Sequence, residues 1–218
     1  LMAQYAIIGL GRFGGSAAVE LMKMGHAVLG VDTEVKVVDH FAEQLSRAVI
    51  ADATDKDALL ELGLGNFNNV LVAIGENIEA SLVCVVHLKS LGVSNIWVKA
   101  RTHTQHLILN KIGVQRIIHP EEEMGIRTAQ LLSYPMVNDY ISLGSGDFIV
   151  EVTASAQYDN TRLGDLLAQE KDRVQILLIK RKNVVNHHPD DDFILNVGDV
   201  VVFFGSLQDL RSLAPKLR

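Results

Sequence analysis

Six short apolar runs occupy the first 120 residues: Tyr5–Leu10, Ala27–Val31, Ala48–Ala51, Asn69–Ile74, Asn95–Val98 and Arg116–Ile118. They are rich in β-branched residues and nearly continuous in apolar character, as strands covered on both faces must be. Amphipathic segments separate them. Ser16–Met24 stops at Gly25, Ile78–Leu91 at Gly92 and His106–Ile112 at Gly113, each glycine suiting a helix C-terminus. Strand and helix in alternation predict βαβ units, right-handed crossovers and an α/β, Rossmann-like, doubly wound parallel sheet.

After His119-Pro120 the rhythm changes. Glu121–Leu132 reads as a longer helix with acids beside its positive end. From about Gly144 the pattern turns antiparallel, with strands at Phe148–Thr153, Val174–Lys180 and Val200–Phe204. A short helix is expected over Leu163–Ala168 and a closing one from Ser206. The expected organisation is a nucleotide-binding lobe over 1–120, a crossover helix and connector over 121–143, and a small α+β lobe over 144–218.

The glycine turn carries the chemistry. Gly9-Leu10-Gly11-Arg12-Phe13-Gly14 follows an apolar strand and opens a helix, the context in which G-x-G-x-x-G indicates a dinucleotide or nucleotide site. Gly9 permits the tight turn, Gly11 lets the backbone approach a phosphate, and Gly14 lets helix pack on strand. Unpaired amides at the helix start then face the anion. Asp32 ends the second run, where a carboxylate accepts from ribose hydroxyls and repels a 2′-phosphate.

Arg12 points beyond a diphosphate. Backbone amides already serve the diphosphate of NAD, whereas a spare guanidinium suits the terminal phosphates of ATP or ADP; a solvated surface arginine is the alternative. Asp52, with Ala53, follows the third run and either reads an adenine edge or caps the next helix. Ala73, Ile74, Gly75 and Glu76 follow the fourth run and line the same crevice. Lys99 and Arg101 follow the fifth and add positive charge at that edge of the sheet.

Other chemistry is missing. There is no nucleophile elbow, no Cys–His set and no H-E-x-x-H, and the tail after residue 144 carries no acid–base partner for a nicotinamide. The expectation is a binding protein, not an enzyme. Cys84 lies in an apolar helix and reads as inert core. His103 and His106, three apart, have metal-ligand spacing without a third local ligand and read as surface histidines. His187-His188-Pro189-Asp190-Asp191-Asp192 reads as a solvated turn. A net charge of −6 argues against a broad grip on nucleic acid. No run of about 18 apolar residues is present to span a bilayer. The N-terminus lacks the zones of a signal peptide, and one cysteine fits a reducing compartment. A cytoplasmic protein is expected.

The chain resembles a known family. Gly9–Gly14 with Asp32, Val98-Lys99-Ala100-Arg101, Lys111-Ile112-Gly113-Val114 and Ile117-Ile118-His119-Pro120-Glu121-Glu122-Glu123-Met124-Gly125 are together similar to the RCK, or TrkA-like, regulators of potassium conductance. The I-I-H-P-E…M-G stretch narrows the resemblance to KtrA-type regulatory subunits of Ktr potassium transporters. This implies a bacterial homo-oligomer, commonly an octameric ring built from dimers, on the cytoplasmic face of the inner membrane under a KtrB-type potassium-translocating subunit. It implies that ATP and ADP favour different ring shapes, ATP being activating. By the same resemblance Asp32 holds the ribose, Gly11–Gly14 the phosphates, and Arg12 the terminal phosphate of a neighbouring subunit's nucleotide. Glu121 matches a family acid near the γ-phosphates, where Mg²⁺ or Ca²⁺ offsets charge. An NAD(H)-sensing regulator of the same fold is the alternative, and a small NAD-dependent oxidoreductase a weaker one. Cyclic di-AMP, held by the C-terminal lobe of some relatives, is not carried over.

Overall fold

A computed structural model describes residues 3–134, 137–168, 173–206 and 208–209. The chain divides into two compact units, Leu1–Glu123 and Met124–Arg218. In the first, strands β1 (Gln4–Ile8), β2 (Ala27–Asp32), β3 (Arg47–Ile50), β4 (Asn69–Val72), β5 (Asn95–Lys99) and β6 (Arg116–Ile118) form one parallel sheet, in the order β3-β2-β1-β4-β5-β6. Helices α1 (Arg12–Lys23), α2 (Val35–Phe41), α3 (Lys56–Glu61), α4 (Ile78–Ser90) and α5 (His103–Ile112) join them. The doubly wound sheet expected from the apolar runs is the one observed. The order reverses between β1 and β4, and such a switch point is where ligands lodge beyond the strands' carboxyl ends.

Alternation along each strand splits the core in two. Ala6, Ile8, Val31, Val72, Ile96 and Val98 bury one face with Leu59, Val85, Leu88 and Leu109. Ile7 and Val28 bury the other with Ala18, Leu10 and Leu45. Helix boundaries follow local chemistry. Asn77 Oδ1 accepts from Ala80 N at 2.9 Å to start α4, and Thr102 Oγ1 accepts from Gln105 N at 3.1 Å to start α5. Gly113 (φ +79°) ends α5 in the left-handed region a C-terminal cap needs. Two starts differ from the sequence expectation. α1 begins at Arg12, not Ser16, and α5 at His103, not His106, because each helix extends back to its cap. Cys84, on α4, is fully buried, and burial above all, with the charge of Asp52, pushes its thiol up to about 12.

The second unit begins within α6 (Pro120–Ser133). Strands β7 (Val137–Gly144), β8 (Asp147–Thr153), β10 (Val174–Arg181), β11 (Val184–Asn186) and β13 (Val200–Ser206) form an antiparallel sheet, ordered β11-β10-β13-β8-β7. β9 (Thr161–Arg162) pairs with β12 (Ile194–Leu195), and α7 (Leu163–Leu167) packs with them. Phe148, Val150, Val152, Leu163, Val201 and Phe203 form this unit's core. One correction stands out. Residues 137–143, read as connector, belong to β7, whose mostly exposed residues leave no alternating apolar signal. The closing helix expected from Ser206 falls largely outside the described residues. Among the described residues, no helix is long and apolar enough to cross a membrane.

Candidate functional site

The first unit's glycine turn is held by contacts that leave room for no other residue at two positions. Gly9 has φ +93°, and its N–H donates to Val31 O at 2.8 Å. A Cβ on Gly14 would stand 1.9 Å from Gly9 O, so α1 can pack this tightly on β1 only with glycine there. Gly11 differs. A Cβ built on it meets nothing within 4 Å, so its backbone faces open space, the condition for a phosphate to approach.

Asp32 closes the turn from below. Its Oδ2 accepts from Leu10 N at 2.7 Å and its Oδ1 from Glu34 N at 3.0 Å. A carboxylate has about four acceptor sites, so two are left for ribose hydroxyls. Sequence reasoning did not anticipate that this residue also ties the end of β2 to the glycine turn.

Arg12 opens α1 exposed, with no ion pair of its side chain among the described residues. Gly11 and Arg12 border a groove of about 710 Å³ that also meets Ser16, Lys36 and His40. Lys36, on α2, went unnoticed because no motif marks it. Phe13 stands on the other side of the turn, its ring centroid 6.0 Å from Lys99 Nζ.

At the ends of β4 and β5, Lys99 and Arg101 meet the residues expected beside them. Lys99, its side chain only 11% exposed, donates from Nζ to Glu121 Oε1 at 2.5 Å. Arg101 Nη1 donates to Gly75 O at 3.1 Å. The hydrogen bond from Lys99 holds the Glu121 carboxyl below its ordinary range. Glu121 is 70% exposed and ties the first turn of α6 to this edge of the sheet. Among the described residues, no three His, Cys, Asp or Glu groups gather closely enough to hold a metal. The donor set at Glu121 is therefore one carboxylate, which fits a hard divalent ion only if phosphate oxygens supply most of its shell.

The remaining expected residues divide. Ala73 is buried, and Ile74 packs partly buried against the core, so only their backbone is free to line the crevice. Glu76 is exposed, one residue before the cap Asn77. Ala53 is core. Asp52 accepts from Thr54 N at 2.8 Å and Thr54 Oγ1 at 2.7 Å, bonds that hold its carboxyl below the ordinary range. The helix cap is Asp55 instead, which accepts from Asp57 N at 2.9 Å. Of the two roles open to Asp52, capping α3 is thereby removed. The structure thus brings the glycine turn, Phe13, Gly75, Lys99, Arg101 and Glu121 to one edge, with Asp32 beneath the turn.

The chain as a whole has known relatives. The TrkA-N domain matches residues 5–120 and the TrkA-C domain residues 148–218. The Ktr system potassium uptake protein A of Bacillus subtilis (strain 168) is 44% identical over 208 residues, 95% of this chain and 94% of its own. A protein of the same description from Vibrio alginolyticus is 36% identical, over 99% and 96%. Among solved structures, the GsuK RCK domain superposes with a TM-score of 0.65 at 14% identity. It is covered over 48% of its length, so this chain spans about half of it, and the likeness is one of fold. A GsuK channel bound to NAD gives 0.62 at 13% identity, with 40% of its length covered. With one domain of each kind and near full-length relatives in two species, the chain belongs to the TrkA-N/TrkA-C family, alongside the Ktr system potassium uptake proteins.

Proposed function

We propose that this chain is a nucleotide-sensing, non-enzymatic regulatory subunit of a bacterial potassium uptake system. It works in the cytoplasm as a ring, commonly of eight copies built from dimers, against a KtrB-type membrane subunit. ATP activates relative to ADP. One observation carries the choice of ligand: an exposed guanidinium without an ion pair among the described residues, beside a glycine whose backbone faces open space. Backbone amides and Asp32 serve any adenosine diphosphate; Arg12 adds affinity only for a longer phosphate tail. The near full-length likeness to Ktr system potassium uptake proteins supports the transport role.

Gating then needs no bond to break. A ligand shifts a ring between shapes only by the difference in its affinities for them. A coupling of ~1–3 kcal/mol per site is typical, and several sites in one ring add. When a divalent ion is bound with the phosphates, it supplies charge neutralisation there; Glu121 is the side chain placed to hold it. Lys99 would then exchange its carboxylate partner for phosphate oxygens.

Two variants test the site by calorimetry. Arg12→Ala is expected to leave ADP affinity within about twofold and to weaken ATP by about tenfold, the worth of one charge-assisted hydrogen bond. Equal losses for both nucleotides would remove Arg12 from the terminal phosphate. Asp32→Ala is expected to weaken both by a common factor of roughly 10–100, since both share the ribose; unchanged affinity would misplace the site. Sensing of NAD(H) is the second reading, favoured by Asp32 and by the NAD-bound GsuK channel. Tighter binding of NADH than of ATP would put it first. Identical scattering curves with ATP, with ADP and with neither would remove the gating role.

A further inference from the structure

Gln105, on the first turn of α5, is 2% exposed, and Ser81, on the first turn of α4, is fully buried. Neither belongs to the site described above, and a polar side chain is tolerated inside a core only through its hydrogen bonds. The carboxamide of Gln105 makes three. Its Oε1 accepts from Arg101 N at 2.9 Å, and its Nε2 donates to Ser81 Oγ at 3.4 Å and to Lys99 O at 3.5 Å. The two backbone groups lie on either side of Ala100. One amide therefore brackets the segment that carries both cations of this edge.

The bracket stands where the sheet leaves off. β4 pairs with β5 as far as Val72 and Val98, and β5 ends at Lys99. Past that point Lys99 O and Arg101 N are met by the Gln105 side chain in place of a strand, which satisfies backbone groups that cannot be buried alone. Ala100 N between them donates to Ile118 O at 2.8 Å. A carboxamide holds an acceptor and a donor in one plane and serves both groups; a carboxylate lacks the donor, and an aliphatic chain lacks both. Gln105 is itself fixed. Its N–H donates to Thr102 Oγ1, and the next residue, His106, shares a hydrogen bond with His119 just past β6, Nδ1 to Nε2 at 2.9 Å. The first turn of α5 is thus tied to the ends of both β5 and β6.

We propose that Gln105 is a positioning residue of the phosphate edge. Without touching the ligand, it sets the backbone from Lys99 to Arg101 and so aims both side chains at the phosphates. In the free chain those side chains rest on Glu121 Oε1 and Gly75 O. Ser81 ties the same carboxamide to α4, whose first turn follows the Gly75 loop. The role rests on the nucleotide reading above.

Amide exchange on the unmodified full chain gives the first readout. Arg101 lies past the end of β5, yet its N–H is expected to exchange at least about a hundredfold more slowly than in an unfolded chain. Unprotected exchange overturns the bracket with no variant needed. Gln105→Met keeps the length and the apolar stem but makes none of the three bonds. It is expected to release the Arg101 amide and to weaken ATP, by calorimetry, about fivefold, the worth of one hydrogen bond. A double-mutant cycle then separates aim from general loosening. With Lys99→Met and Arg101→Met already in place, Gln105→Met is expected to cost less than about twofold, because the side chains it aims are gone. With Asp32→Ala in place, the fivefold cost is expected to persist. A full cost in the chain without the two cations, or normal ATP affinity in Gln105→Met with the Arg101 amide released, overturns the role. Normal ATP binding by Asp32→Ala alone marks the other failure, that of the nucleotide reading, and takes this role with it.

Discussion

Gly14→Ala is expected to cost the first unit about 3 kcal/mol, the upper end for overpacking a filled site, and to lower nucleotide affinity at least a hundredfold. The new methyl would stand 1.9 Å from Gly9 O and 2.9 Å from the Ala73 Cβ, so α1 must lift from the β1–β4 edge and carry its N-terminal amides with it. Gly11→Ala is the informative companion. Its methyl meets nothing in the folded chain, so the melting temperature is expected to hold within about 2 °C while ATP affinity falls tenfold or more. That contrast separates a glycine needed for packing from one needed for a ligand. If Gly11→Ala binds ATP normally, the phosphates do not approach the turn as proposed. Thermal melting and calorimetry on both variants supply the two readouts.

The other large effect lies in the second unit. Asp199, its side chain 2% exposed, takes two bonds from Arg181, Nε to Oδ1 at 2.8 Å and Nη2 to Oδ2 at 2.6 Å, and one from Asn196 N at 2.8 Å. Arg181 also donates to Ile194 O at 2.7 Å and lies 5.2 Å from the Phe193 ring. Arg181→Ala removes the links made by the guanidinium and leaves the buried carboxylate without its counter-charge, held only by Asn196 N–H, for which about 3–5 kcal/mol is the expected loss. In a unit of this size that lowers the melting temperature by roughly 15 °C or more. A fall below about 2 °C would mean that Asp199 finds other partners.

The pH dependence has a definite sign. Burial of Asp199 opposes ionisation, but the bonds from Arg181 and from Asn196 N–H outweigh it, so the folded carboxyl lies below its ordinary 3.8. The pair therefore contributes fully above about pH 4 and loses that contribution as pH falls further. In Arg181→Ala only the Asn196 N–H still opposes burial, so the carboxyl lies higher than in the unmodified chain. The deficit of the variant is then greatest near pH 7 and shrinks toward pH 4, which melting curves across that range would show.

Much of the first unit can be read from its residues. Its inner strands, β1, β2, β4 and β5, are largely buried, so their apolar runs are nearly continuous, and the helix-ending glycines sit where the chain must turn back. The glycine turn, Asp32 and Glu121 carried motif information for the same reason: their spacing is set by a local βα unit or by a matched stretch. β7 could not be read, because an edge strand with little buried surface imposes no period. Asp55 and Asp52 are both followed by backbone able to accept a cap, and only the position of α3 decides between them. His119 illustrates the general limit. It meets His106 because β5, α5 and β6 fold into one crossover, and nothing in either residue's neighbourhood announces the other.

Cys84 has a practical consequence. It is the chain's single cysteine, sits with none of its surface exposed among the apolar residues of α4, and would shed its proton only in strong alkali. Maleimides and iodoacetamides will therefore pass it by while the fold is intact. A cysteine engineered at any exposed position becomes the sole point of attachment for a fluorophore or spin label, with no need to remove the native one. Distances between labelled copies could then be followed as nucleotide is exchanged, on a chain that differs from the natural sequence at one position.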